Sequence, residues 1–397
     1  MSSIALPIPV HRGAMTIFAA TSLVTLFAGS SAPTPLYHVY QEMWGLPPVV
    51  LTVIFAVYAF SLLASLLTVG SLSDYVGRRP VIFVSLLISA LTMGLFATAE
   101  SAWALIAARV VQGIATGAAM GTLGAAILDA DRRHGPLVNS VMPLLGMSAG
   151  ALGSSILVAY APAPTHLVYV ILLVVFLVEA AVVWTMPETA RRRPGALASL
   201  RPHVAVPPQV RQAMLLVTPG NVAVWALGGF YLSLMPSLLR VATNTTSPLI
   251  GGIVVATLTL SGAGAIVTLR DWPGRRILPI GTSALAMGVA VTLFGVAMHG
   301  VDWLVIGTII AGFGLGAGFF GASRTILPLA GPDERAGLLS AFYAQSYLAF
   351  SLPAIIVGLM APSLGLPRAT YLYGTAIILL AAISCAASIT STRRATS

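Results

Sequence analysis

Apolar residues along the 397-residue chain gather into twelve long runs separated by short polar breaks. The runs fall near 14–32, 50–70, 80–98, 103–128, 136–160, 167–186, 213–235, 248–269, 277–298, 303–329, 338–361 and 370–390. Each has about the ~20 residues that an α-helix needs to cross the hydrocarbon core of a bilayer. Strands of a membrane barrel would be about ten residues long and strictly alternating, and the runs do not alternate. The pattern predicts an all-α integral membrane protein with twelve transmembrane helices. Pro33, Pro35 and Tyr37 follow the first run where a cleaved leader would carry small residues, so that run is read as a span.

Composition sharpens this picture. Charged residues make up 8% of the chain and hydrophobic ones 57%, whereas a soluble domain needs about 25% charged residues to cover its surface. Most of the outer surface therefore meets lipid. All 20 basic residues are arginine. If the N-terminus is inside, inner segments hold Arg12, Arg78, Arg79, Arg132, Arg133, Arg191, Arg192, Arg193, Arg201, Arg211, Arg270, Arg275, Arg276, Arg324, Arg335, Arg393 and Arg394. Outer segments hold Arg240 and Arg368, and Arg109 lies within a span. This bias predicts that both termini are cytoplasmic, in an inner or plasma membrane. The net charge of +9 then reports topology and contact with anionic lipid rather than nucleic-acid binding.

The one long polar stretch is Glu188–Gln209, which holds four prolines and lies near the chain midpoint. It divides the chain into an N-terminal six-helix bundle (1–187), a cytoplasmic linker (188–209) and a C-terminal six-helix bundle (210–397). Internal repeats support two related halves. The sequence D-x-x-G-R-R occurs at Asp74–Arg79 and again at Asp271–Arg276, 197 residues on. D-x-R-x-G occurs at Asp131–Gly135 and again at Asp333–Gly337, 202 residues on. Each falls at the corresponding inner loop. Parallel repeats of this kind build one large class of secondary transporters.

Several residues carry candidate chemistry. Gly70 leaves room for close helix approach, and Gly77 permits a turn that needs positive φ. Pro80 suits the first turn of a helix. Asp74 is an acid at a membrane boundary beside Arg78 and Arg79, able to pair with them or cap a helix. Arg109 costs about 2.5–3.5 kcal/mol to insert at the centre of a span, so it needs partners. It serves either function or structure alone, through bonds to backbone carbonyls. Gly113, Gly117 and Gly121 are four apart and share a helix face. Glu179 is the one carboxylate clearly within a span, a place for a proton or for an interhelical bond. Histidine is the side chain whose ordinary charge change falls near neutral pH, and His38 is either a proton carrier or an exposed loop histidine.

The segment Gly70-Ser71-Leu72-Ser73-Asp74-Tyr75-Val76-Gly77-Arg78-Arg79 resembles the signature loop of the major facilitator superfamily, G-x-L-x-D-x-x-G-R-R/K, between helices 2 and 3. The resemblance implies the major facilitator fold: two pseudo-symmetric six-helix bundles. It also implies a charge relay in which Asp74 and Arg78 join an acid at the inner end of helix 4, Asp129 or Asp131. Arg109-Val110-Val111-Gln112-Gly113 resembles the family's helix 4 motif, R-x-x-Q-G-x-x-x-G, which implies a part in proton coupling for Arg109 and Gln112. Gly146–Ser155 resembles the antiporter motif G-x-x-x-G-P-x-x-G-G in its first two glycines, but Ala151 replaces the proline, and Ser154 and Ser155 replace the last glycines. In pattern the chain is most similar to the twelve-helix drug:proton antiporters. The family lines its cavity with helices 1, 4, 7 and 10, where helix 7 offers Asn221 and Trp225 and helix 10 Phe319 and Phe320. Helix 11 adds Tyr343 and Gln345.

The expected function is export of small organic or drug-like compounds by proton antiport through alternating access. The expected partners are a small-molecule substrate, protons and the lipid bilayer, with the chain acting as a monomer. Import of an organic anion by symport or uniport is one alternative; a membrane receptor without transport is another. No enzyme activity and no cofactor are expected. The chain has no lysine, so a G-x-x-x-x-G-K-[ST] nucleotide loop is impossible. No His or Cys cluster suggests a metal, and Cys385 is the single cysteine.

Overall fold

The computed structural model describes residues 9–243 and 247–396. Among these, twelve helices are long and apolar enough to cross a membrane. They are α1 (Gly13–Trp44), α2 (Pro48–Val69), α3 (Arg78–Ala97), α4 (Ala102–Ala130), α5 (Gly135–Tyr160), α6 (Leu167–Thr185), α7 (Pro208–Ser233), α8 (Leu249–Thr268), α9 (Gly274–Met298), α10 (Val301–Leu329), α11 (Arg335–Leu364) and α12 (Leu366–Thr390). Each sequence-predicted span is one of these helices. The twelve form two six-helix bundles, α1–α6 and α7–α12.

The first helix departs from expectation. It does not end before Pro33 but breaks at Ala32 and resumes as Pro33–Trp44. Pro33 and Pro35 occupy the first turn of the new segment, where a missing N–H is tolerated. Gly45 ends it in the left-handed region at φ 62°, donating its N–H to the Gln41 carbonyl. Tyr37, His38 and Tyr40 therefore lie on a helix rather than in a loop.

Small residues set the helix spacing. A Cβ on Gly113 would sit 2.5 Å from the Tyr58 carbonyl oxygen and 2.8 Å from the Leu62 nitrogen, so α4 and α2 touch backbone to backbone. Gly117 meets Leu62 and Ser65 in the same way one turn on. Without a hydrophobic driving force between helices in lipid, such close contact is what holds them together.

The halves meet where α2 packs on α11 and α5 on α8. On the side away from the termini the fit is tight. Gly358 faces Thr52, where a Cβ would be 2.5 Å from the hydroxyl, and Gly252 faces the Ala151 carbonyl and Ser155. Nearer the centre, Ser148 and Thr259 share a 2.6 Å hydrogen bond, and Phe55 lies 4.8 Å from Phe350.

Gly113→Val should force α2 and α4 apart, at about 1–3 kcal/mol of overpacking. Gly153, with nothing within 4 Å of its would-be Cβ, should accept alanine within about 0.5 kcal/mol. Thermal unfolding of the two purified variants compares them. Equal melting temperatures would contradict the assigned helix contact.

Candidate functional site

A cavity of about 210 Å³ lies between the halves. Its first-half wall includes Phe27, Ser30 and Ser31 of α1, Phe55 and Tyr58 of α2, Met120 of α4, and Asn139, Pro143 and Met147 of α5. Trp225, Phe319, Tyr343, Tyr347 and Phe350 form the opposite wall. Those rings pack edge to face or tilted: Trp225 lies 5.7 Å from Phe319, 5.0 Å from Tyr347 and 5.5 Å from Phe350. Asn139 and Ser140, in the first two turns of α5, carry the lining toward the side of the termini.

Of the six residues predicted to line the cavity, three do: Trp225, Phe319 and Tyr343. Asn221 and Gln345 sit beside it in a polar chain of their own. Asn221 donates to the Ser346 hydroxyl (2.9 Å) and the Gln345 oxygen (3.3 Å), and Gln345 donates to Thr218 (2.8 Å). Phe320 is a correction. Adjacent helix residues diverge by about 100°, so Phe320 turns away from Phe319 to pack with Ala263, Ile266 and Ile277, beneath the Arg324 guanidinium at 4.6 Å.

Behind the first-half wall lies Arg109, fully buried. Its Nε donates to the Tyr37 hydroxyl at 3.0 Å, and Nη2 reaches the same oxygen at 2.5 Å. Nη1 donates to the Ser30 carbonyl (2.9 Å) and the Gln112 oxygen (2.6 Å). The rings of Tyr58, Tyr37 and Phe96 lie 5.1, 5.5 and 5.6 Å from the guanidinium carbon. Among the described residues no carboxylate pairs with it. Gln112 is fixed in turn, donating to the Gly29 carbonyl at 2.9 Å. That carbonyl's helical donor would be the N–H of residue 33, which proline lacks.

Glu179 and His38 lie apart from this cluster and from the cavity lining. Glu179 accepts from the Thr25 hydroxyl at 2.8 Å, joining α6 to α1. His38 Nε2 lies 2.9 Å from Glu42, whose carboxylate also meets Arg240 of the second half at 3.5 Å.

On the side of the termini the signature loop gathers charge. Arg78 pairs with Asp74 (2.5 Å) and Asp129 (3.2 Å), and donates to Ser73 (2.7 Å). Arg79 donates to the Trp184 carbonyl and lies 5.2 Å from the indole ring. Gly70 ends α2 and lies against Gly121 of α4. Gly77 adopts φ 102°, as its turn requires. Asp131 is a second correction: it lies outside the cluster. Its carboxylate closes the turn that leads into α5 rather than capping the helix itself, accepting from the backbone N–H groups of Arg133 and His134 (both 2.9 Å) and pairing with the His134 ring (3.0 Å). These bonds, the His134 N–H first, hold its carboxyl below the usual range.

Glu188, the first residue of the linker, belongs to the same cluster. Its carboxylate accepts from the backbone N–H groups of Arg78 (2.8 Å) and Arg79 (3.1 Å), capping α3 from 110 residues away. The only sequence signal is an acid opening a basic stretch.

A twelve-helix membrane bundle in two halves, with a cavity between them, defines the architecture of a secondary transporter. The model of the Major Facilitator Superfamily matches residues 18–270, and the chain belongs to that superfamily. It is 38% identical over 109 residues to the tetracycline resistance protein, class C, of Escherichia coli, covering 26% of this chain and 27% of that protein. It is 30% identical over 144 residues to the multidrug resistance protein MdtL of Shewanella sp. (strain ANA-3), covering 35% and 36%. The chain thus spans about a quarter to a third of the curated relatives it matches. A bacterial homolog of the human lysosomal transporter Spinster, in an inward-facing and unoccupied conformation, shares its fold, with a TM-score of 0.73 at 12% identity over 98% of both chains.

Glu188→Ala should remove the α3 cap and cost about 0.5–2 kcal/mol. Thermal unfolding checks this, with Glu188→Gln expected to lose less because its amide oxygen still accepts. Asp131 adds a pH signature. Its carboxyl is depressed in the folded state, so its contribution is present above the unfolded carboxylate range and fades as pH falls through the lower folded value. Asp131→Asn should flatten that part of the stability–pH curve.

Proposed function

We propose that the protein exports small organic or drug-like compounds by proton antiport through alternating access, from a cytoplasmic membrane with both termini in the cytoplasm. The observation that carries this reading is the aromatic cavity between the halves, closed by close helix contact on one side, with its lining extending toward the other. Two relatives named for drug resistance support it, since removing a compound from the cell is one physical way to resist it. The arginine bias favours the stated orientation.

Asp74, Arg78, Arg79, Asp129 and Glu188 are assigned the relay that holds the loop, with Gly70 and Gly77 shaping it. Arg109 and Gln112 are assigned to proton coupling, for which Glu179 and His38 are the titratable candidates. The chain is proposed to act as a monomer. Import of an organic anion is the second reading, favoured by the absence, among the described residues, of a carboxylate beside Arg109.

Proteoliposomes with an imposed proton gradient test both. Export predicts that an aromatic compound moves against its own gradient while protons move with theirs, and that Asp74→Asn slows this at least tenfold. Flux of compound and proton in the same direction would favour import. Compound flux that ignores the proton gradient, with Asp74→Asn transporting normally, would sink antiport.

A further inference from the structure

The charge of the cavity wall bears on what it can hold. Its lining includes eight aromatic residues (Phe27, Phe55, Tyr58, Trp225, Phe319, Tyr343, Tyr347 and Phe350) and no Asp, Glu, Arg, Lys or His. A bare charge placed there gives up its hydration to a surface with no counter-charge. Rings offer flat dispersion contact and edge-to-face partners instead.

One charge lies just outside the lining. Arg109 is fully buried and bonds only to neutral groups: a hydroxyl, an amide oxygen and a carbonyl. Two of its neighbours are themselves wall. Tyr58 has its ring 5.1 Å from the guanidinium carbon, and Ser30 accepts from Nη1. A ligand atom on the cavity side of Tyr58 would lie at about that distance plus a contact of ~3.5 Å. Along α4 the acid Asp129 is twenty residues from Arg109, roughly 30 Å away, and already pairs with Arg78. Glu179 faces Thr25 and lies outside the lining. The cavity therefore sits in the field of one cation without a partner acid.

We propose that this cavity takes flat aromatic molecules that carry no positive charge, selected by its rings and by the Arg109 guanidinium one side chain behind the wall. The inference rests on the cavity being the substrate site, but not on the direction or coupling of transport. At an effective dielectric of about 20, two like charges ~8 Å apart weaken binding on the order of thirtyfold. Removal of hydration from the ligand adds to this.

The test is equilibrium binding of three fluorescent probes to the purified protein in detergent, with no proton gradient: anthracene-9-methanol, anthracene-9-carboxylate and 9-(aminomethyl)anthracene at pH 7. The alcohol should bind, and the ammonium should bind at least tenfold more weakly than it. Trp225→Ala should abolish binding of the alcohol, which locates the probe in the cavity. Asn139→Asp places a carboxylate of the same shape in the lining, losing the bond that Asn139 Nδ2 donates to the Gly124 carbonyl (3.0 Å), and should improve ammonium over alcohol by tenfold or more. Arg109→Gln, if it folds, should narrow the same ratio. Failure of the alcohol to bind, ammonium binding equal to it, or an unchanged ratio in Asn139→Asp would each overturn the proposal. Loss of proton-driven flux with the ratio intact would defeat the antiport reading alone.

Discussion

A guanidinium buried in an apolar span has to be solvated by the protein itself, and much of the first bundle is arranged around that demand. Arg109 has five N–H donors in a rigid plane. The Tyr37 hydroxyl, the Ser30 carbonyl and the Gln112 oxygen accept four of them. Gln112 can turn its oxygen to the arginine because its nitrogen is held by the Gly29 carbonyl. That carbonyl is free because Pro33 has no N–H to offer it. The break in α1, the glutamine one turn along α4 and the buried arginine are thus one hydrogen-bond ledger, and removing any member leaves another polar group unpaired in the bundle interior. Such orphaned groups cost about 1–3 kcal/mol each, which ties α1 to α4 more firmly than their apolar contacts alone.

The same dependence explains why the halves differ despite their repeat. Asp271–Arg276 reproduces the letters of Asp74–Arg79, but its acid is 85% exposed and pairs with the preceding Arg270 at 3.3 Å. In the first half Arg78 bridges two acids, Asp74 and Asp129. Counting 202 residues on from Asp129 leads to Gly331, which has no charge to offer. Trp272 instead lends its carbonyl to Arg324 at 2.7 Å. A shared loop pattern does not carry a shared ion network when the third partner sits on another helix.

This also marks what could be read from the chain. Span positions were legible because lipid imposes a length and an apolarity on each helix, whatever its neighbours are. The glycine face of α4 was legible because spacing of four is a local property. The choice between Asp129 and Asp131 was not, since α4 ends at Ala130, Asp131 already has extended backbone beyond it, and only the docked α3 shows which one meets Arg78. Phe319 and Phe320 pose the same problem about the cavity. Glu188 was hidden for a different reason: its partners are backbone N–H groups, which leave no residue type to recognise. The apolar run of α1 ends near residue 32, yet the helix resumes at once with Pro33 and Pro35 in its first turn, because a proline there gives up no helical bond.

Both ends of the bundle combine close packing with polar links, including the Glu42–Arg240 pair (3.5 Å) away from the termini. Away from the termini the halves touch through Gly358 on Thr52 and Gly252 on Ser155 and the Ala151 carbonyl, contacts that depend on backbone-level fit. On the side of the termini the linker crosses between halves by polar bonds. Arg193 donates its N–H to Tyr75 (2.9 Å) and Ser71 donates to Ser199 (3.1 Å) in the first half, while Ala205 donates to Gly337 (3.2 Å) in the second. Each such bond is worth about 0.5–1.5 kcal/mol net, and water can replace it when it opens. The close-packed contacts have no such substitute, because parting them leaves a void that lipid chains or water must fill. Because Val141 also packs on Ile266 and Leu269 on the side of the termini, opening at either end has to part close-packed contacts as well as polar ones.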